Sequence, residues 1–248
     1  MKFSEMKLQA MNVVKSYFKR NWKKTDMMNS GEISLLAHKS LKKVYLTLFC
    51  AMLSFTFGSF LNLIWEAGGL FTVFYSVGSL LWLYFTPPWR VKKRVLLLMF
   101  AAYCSGASIG LFTKYLFEIE PGLVVGLLSG TTIGIGTFWF GAMLTRERSE
   151  IYIGCLLYSC ILMFSSFFVK AFDILDSHTA HLMIKVYTVL TLFMGYYVVY
   201  SQEILYNARY GDVNFVNCTF TVFFHLPAIV VHATRVYLGA EIEQHRQN

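Results

Sequence analysis

Two histidines, His225 and His232, lie in one apolar run near the carboxyl end, with Arg235 just beyond them. Histidine changes charge near physiological pH. An ionisable group at membrane depth is costly unless it faces a partner or the bundle interior. His225 is therefore read as either a structural hydrogen-bonding group or a gating and proton-sensing one. Ion conduction needs intramembrane acids or rings of carbonyls, yet the centres of the apolar segments carry no Asp or Glu, and Glu203 is the nearest. Hydrolysis fares no better, since neither HExxH nor GxSxG occurs. His178 and His181, at i and i+3, could share a metal, but a solvated loop is the preferred reading. The five cysteines are dispersed through apolar runs as small buried hydrophobes, with no CxxC and no zinc spacing. These patterns call for no cofactor, no metal and no catalytic residues, and the chain reads as a non-enzyme.

The elements that carry these residues follow from composition. Of 248 residues, 56% are hydrophobic and 15% charged, and mean hydropathy is +0.52. Soluble domains hold about 45–50% apolar and about 25% charged residues, so polar groups are too few to coat a water-exposed surface. A soluble enzyme, a disordered tail and a nucleic-acid domain are excluded, which leaves an all-α polytopic membrane bundle. Seven apolar segments support it, at roughly Val44–Trp65, Gly68–Thr86, Val95–Phe117, Gly122–Leu144, Ile151–Val169, Met183–Tyr200 and Phe215–Leu238. Each approaches or exceeds the ~17–20 residues that cross a hydrocarbon core. The first two are joined by Glu66 and Ala67 alone, which predicts an antiparallel hairpin. Pro87-Pro88 ends the second, Pro121 opens the fourth, and Pro227 kinks or breaks the seventh. Gly122, Gly126, Gly130 and Gly134 repeat down one face of the fourth segment, as do Ala102, Gly106 and Gly110 on the third. Small residues so spaced let helices approach closely. Packing within the chain is the first reading, and homo-oligomerisation the alternative.

Charge sets the orientation. Residues 1–42 form a basic arm, 43–239 the bundle and 240–248 a short polar tail. In the arm, Met11, Val14, Phe18 and Trp22 recur at helical spacing beside Lys15, Lys19, Arg20, Lys23 and Lys24. That is an amphipathic helix suited to a membrane surface, with the anionic bilayer rather than nucleic acid as its partner. A second short helix around Ile33–Lys43 leads into the first span. With the amino terminus cytosolic, seventeen of the 22 Lys and Arg fall on that side and five on the other, as the positive-inside rule requires.

Several pieces in register resemble the Bax inhibitor-1 (transmembrane BAX inhibitor motif) family, with a plant-like flavour. They are Leu41-Lys42-Lys43-Val44-Tyr45, the Pro87-Pro88 turn ending in Lys93-Arg94, Gly106-Ala107-Ser108-Ile109-Gly110, Pro121, Arg146-Glu147-Arg148 with Tyr152-Ile153-Gly154, and Ser201-Gln202-Glu203-Ile204 ahead of Gly211-Asp212. The resemblance implies a seven-helix bundle in the endoplasmic reticulum membrane that restrains cell death and modulates calcium release. It also implies a pH-responsive pair of aspartates on the sixth and seventh helices, but Tyr200 and His225 stand at those positions. They form a degenerate ion or pH site. The lysine-rich tail of plant members is reduced to Glu241–Asn248, which counts against tail-mediated calmodulin binding. The expected function is a non-enzymatic suppressor of programmed cell death that works with other membrane proteins. A calcium leak or proton-coupled transporter on the same scaffold is the alternative.

Overall fold

The computed structural model describes residues 31–65, 68–119, 121–154, 157, 161, 194–195, 197–208 and 213–225, with the backbone alone at 110–127 and 225. The first helix, α1 (Leu35–Trp65), has 31 residues. It opens where the His38 N–H donates to the Ser34 carbonyl at 2.8 Å. Neither Gly nor Pro interrupts it before Gly58, so the expected leader helix and first span are one continuous helix. At about 1.5 Å per residue it is about 46 Å long, more than the ~30 Å of a hydrocarbon core. Its lysine-bearing first turns can therefore stand outside the bilayer. Among the described residues, α1 has the length and mean hydropathy, 1.8, to cross a membrane.

The second helix, α2 (Leu70–Phe85), is shorter, at 16 residues. It ends where Pro87 and Pro88 offer no N–H to continue the ladder. The turn beyond it is closed by the Arg90 N–H donating to the Pro87 carbonyl at 3.1 Å. Next come α3 (Val91–Ile119) and α4 (Pro121–Leu144), the latter with proline at its first position as expected. The remaining described helices are α5 (148–154), α6 (197–207) and α7 (Phe215–Phe220). Asn214 caps α7 by accepting the Asn217 N–H at 3.2 Å. After α7 the winding loosens to a π turn over Thr221–His225. Pro227, with its expected kink, lies outside the described residues, as does most of the fifth, sixth and seventh apolar segments. The described part is all-helical, with one isolated bridge between Glu32 and Glu147 and no strand.

The core forms around α1, which packs against α3, α4 and α7. Leu41, Val44, Tyr45, Leu48 and Ala51 recur every three or four residues on its inner face, each at most 1% exposed. The link of two residues predicts that α2 folds back along α1, but α2 leans chiefly on α3. The reason is the α1–α3 crossing. A Cβ at Gly58 would collide with the Tyr103 carbonyl, and one at Gly106 with the Phe55 carbonyl. Backbone therefore touches backbone, and α3 occupies the side of α1 that α2 would need. Ser76 then donates to the Ala101 carbonyl at 3.1 Å, fastening α2 to α3. The outer face of α2 is left bare, with Phe71, Phe74, Tyr84 and Phe85 between 69% and 83% exposed. So large an apolar surface is stable against lipid and not against water. The glycine series on α4 is buried at Gly130 and Gly134. Gly122 and Gly126 are in the α4 backbone, and their surroundings lie outside the description.

Candidate functional site

Among the described residues, the buried ionisable side chains His38, Arg94, Arg148 and Glu203 lie at one end of the bundle. At the start of α1, His38 is 7% exposed. Its Nε2 lies 2.7 Å from the Ala142 carbonyl and 3.2 Å from the Thr145 carbonyl. These carbonyls belong to the last turn of α4 and the residue after it, where helix acceptors have no partner of their own. The imidazole donates to them and caps the helix from outside. Just upstream, the Ile33 N–H donates to the Arg146 carbonyl at 3.0 Å, and Arg146 pairs with Glu32 at 2.7 Å. Residues 32–38 are thereby clamped to the α4–α5 corner. A cleft of about 310 Å³ opens beside the clamp, lined by Glu32, His38, Thr145, Arg146 and Glu147 among others.

Two arginines are drawn inward at the same end. Arg148, 5% exposed, donates from Nη1 to Gln202 Oε1 at 3.0 Å, joining α5 to α6. Arg94, also 5% exposed, donates from Nη2 to Asn217 Oδ1 at 2.6 Å, joining α3 to α7. Arg94 precedes the apolar run that begins at Val95. Burial lowers its pKa from the ordinary arginine range, though a guanidinium stays charged at any physiological pH. A buried charge is tolerable where polar partners meet it, and an amide oxygen from another helix does so here.

Beneath these pairs lies an aromatic layer. The ring of Tyr45 is 5.7 Å from that of Phe138 and 5.5 Å from that of Tyr197, and Phe138 meets Tyr197 edge-on at 4.5 Å. Tyr200 shares this core at 8% exposure, as do Val222 and Phe223 of the π turn. Along the same core, Phe55 meets Phe223 at 5.7 Å, and Thr219 Oγ1 lies 3.4 Å from the Val44 carbonyl.

These contacts locate the residues expected from the sequence. Tyr200 is buried on α6, one helical turn beyond Tyr197. His225 ends the π turn, and its side chain, like its relation to Tyr200, lies outside the described residues. So do His178, His181 and His232, and the basic residues Lys15, Lys19, Arg20, Lys23 and Lys24. Glu203, expected just past the sixth span, is within α6 and 5% exposed. Sequence reasoning counted Arg94 and Arg148 only among the charges that set topology, and His38 fell within the short helix around Ile33–Lys43 with no role of its own. Their signal was present in the Lys93-Arg94, Arg146-Glu147-Arg148 and Ser201-Gln202-Glu203 pieces, but nothing in one sequence says that the second and third of these meet. Gly58, on the first span, went unnoticed because it stands alone. Among the described residues, no three His, Cys, Asp or Glu side chains converge as a metal site would require. The arrangement links six helices at one end through polar contacts, α1 to α4, α5 to α6 and α3 to α7, over an aromatic floor.

Comparison with known proteins identifies the family. The family described as "Inhibitor of apoptosis-promoting Bax1" matches residues 37–237. The protein named "Bax inhibitor 1" of Arabidopsis thaliana is 34% identical over 221 residues, 88% of each chain. Its namesake in Oryza sativa subsp. japonica is 32% identical over 219 residues, covering 88% of this chain and 87% of the rice protein. The human "Bax inhibitor 1" is 24% identical over 196 residues, 77% of this chain and 81% of its own. No solved structure gives a significant match. Since the family match runs from the first turn of α1 past the π turn and the plant similarity spans nearly the whole of both chains, the chain belongs to the Bax inhibitor-1 family.

Proposed function

We propose that this protein is a non-enzymatic suppressor of programmed cell death in the endoplasmic reticulum membrane, multi-pass and with a cytosolic amino terminus. The observation that carries the reading is the plant Bax inhibitor 1 similarity along 88% of both chains, which includes the elements that build the buried polar end. The orientation draws support from that same end. Residues 32–38 are tied to the α4–α5 corner, Lys43 of α1 lies over the Phe215 ring of α7, and Arg94 of α3 bonds Asn217 of that same helix. The basic stretches that the positive-inside rule assigns to the cytosol therefore cluster together. The polar contacts are links between helices and do not pair a nucleophile with a base, which favours a scaffold that engages other membrane proteins.

The calcium-leak alternative asks for carboxylates where this chain has Tyr200 and His225. Neither a phenol nor an imidazole supplies a carboxylate oxygen, and calcium binds charged oxygen ligands. One experiment tests both readings. The chain is expressed in cells carrying a luminal calcium reporter, and death is triggered by misfolded-protein stress. The expected outcome is delayed death with unchanged resting luminal calcium. Unchanged survival at normal expression overturns the suppressor reading, and delayed death with a falling calcium store selects the leak.

A further inference from the structure

The α2–α3 turn has a property that the links between helices do not use. The helix α3 begins with Val91, Lys92 and Lys93, whose backbone N–H groups have no intrahelical acceptor; the ladder starts at Arg94, whose N–H donates to the Arg90 carbonyl at 3.1 Å. No acidic residue stands in the first turn to complement the positive end of the helix dipole. Arg90 and Lys92 are exposed and have no carboxylate partner among the described residues. Arg94, in the same turn, uses Nη2 on Asn217, but its Nε is buried with no acceptor. A buried guanidinium N–H without an acceptor is costly, and it marks where an anion or water would be accepted.

The surroundings indicate where that anion comes from. Trp89, Tyr84 and Phe85 are 77–83% exposed beside the turn, as side chains of a membrane–water interface are. Lys93 lies over the Trp82 ring, 4.4 Å from its centroid, a cation–π contact that holds positive charge at the same level. Free amides at a helix start suit a phosphate. Together with three cationic side chains they suit a doubly charged phosphate monoester better than the singly charged diester of most phospholipids.

We propose that the first turn of α3, with Arg90, Lys92 and buried Arg94, binds the phosphomonoester headgroup of an anionic membrane lipid. The proposal rests on the membrane location of the chain and not on its role in cell death. Full-length protein in neutral detergent is titrated with dioctanoyl phosphatidic acid, phosphatidylserine, phosphatidylcholine and inorganic phosphate, and bound adducts are counted by native mass spectrometry. Phosphatidic acid should bind saturably and more tightly than the others. The double variant Arg90→Gln, Lys92→Gln should weaken it about tenfold or more. Lys39→Gln with Lys42→Gln, which removes two cations at the same end of the bundle, should leave it within about twofold. Equal binding of phosphatidic acid and phosphatidylserine, or equal losses in the two double variants, reduces the effect to general charge attraction and overturns the site. Inorganic phosphate binding as tightly as the lipid overturns the lipid source. Wild-type affinity in the Arg90, Lys92 variant overturns the assignment to this turn.

Discussion

A single imidazole connects the first helix to the end of the fourth. His38 donates to carbonyls that the end of α4 leaves without helical partners, 104 and 107 residues along the chain. Replacing it removes a donor while the acceptors remain, so the desolvation cost of the acceptors is left uncompensated. His38→Ala is expected to destabilise the protein by about 1–3 kcal/mol, read as a lower melting temperature in detergent. His38→Gln, which keeps a donor of similar reach, should recover part of the loss. An unchanged melting temperature in His38→Ala would show that the cap contributes nothing. His38 stands in a lysine-containing stretch, where a sequence reader places a solvated side chain. Its burial depends on the α4–α5 corner arriving beside it.

At the scale of elements, the decisive contact is α1 on α3. Small residues permit that approach, but two are needed, one on each helix, and the sequence shows a series only on the third and fourth segments. Gly58 is its unadvertised counterpart to Gly106, and each faces the other helix's backbone. Gly106→Leu must force the backbones apart, and no rotamer change relieves a clash with a carbonyl. The expected result is failure to accumulate as folded protein, seen as loss of the monodisperse peak in detergent chromatography. Gly78→Leu, on the outer side of α2 with open space around it, should behave like the wild type. Equal behaviour of the two variants would mean the crossing is looser than described. The displaced α2 has the same origin. A short link constrains where a helix starts and not which neighbour it chooses, and α3 claims the available face of α1.

For the whole molecule, the Arg94–Asn217 bond has a topological consequence. Asn217-Cys218-Thr219 is a glycosylation sequon, with Asn217 exposed at the start of α7. Its side-chain oxygen meets an arginine from the basic turn, so the sequon shares that turn's side of the membrane. Under the proposed orientation that side is the cytosol, where glycosylation does not occur. The protein isolated from intact cells should therefore keep its mobility after glycosidase treatment. A sequon engineered at residues 178–181, between the fifth and sixth apolar segments, should be modified. Glycan on Asn217, with none on the engineered site, would invert the molecule.

The sequence by itself determined the solvent, the class of fold and the family. Too few polar residues to coat a surface leaves only lipid, lipid demands backbone hydrogen bonds satisfied within helices, and the ordered motif pieces carry the kinship. The proline boundaries, a stop at Pro87 and a start at Pro121, were legible for the same reason: they act through the local backbone alone. Only the tertiary structure decided which charges are buried and what meets them. Arg148 and Gln202 are 54 residues apart and Arg94 and Asn217 are 123 apart, and a pairing at that separation leaves no periodic trace in one chain. Burial is a property of the space between helices, and that space exists once α3 has closed on α1 and the remaining helices have settled around the pair.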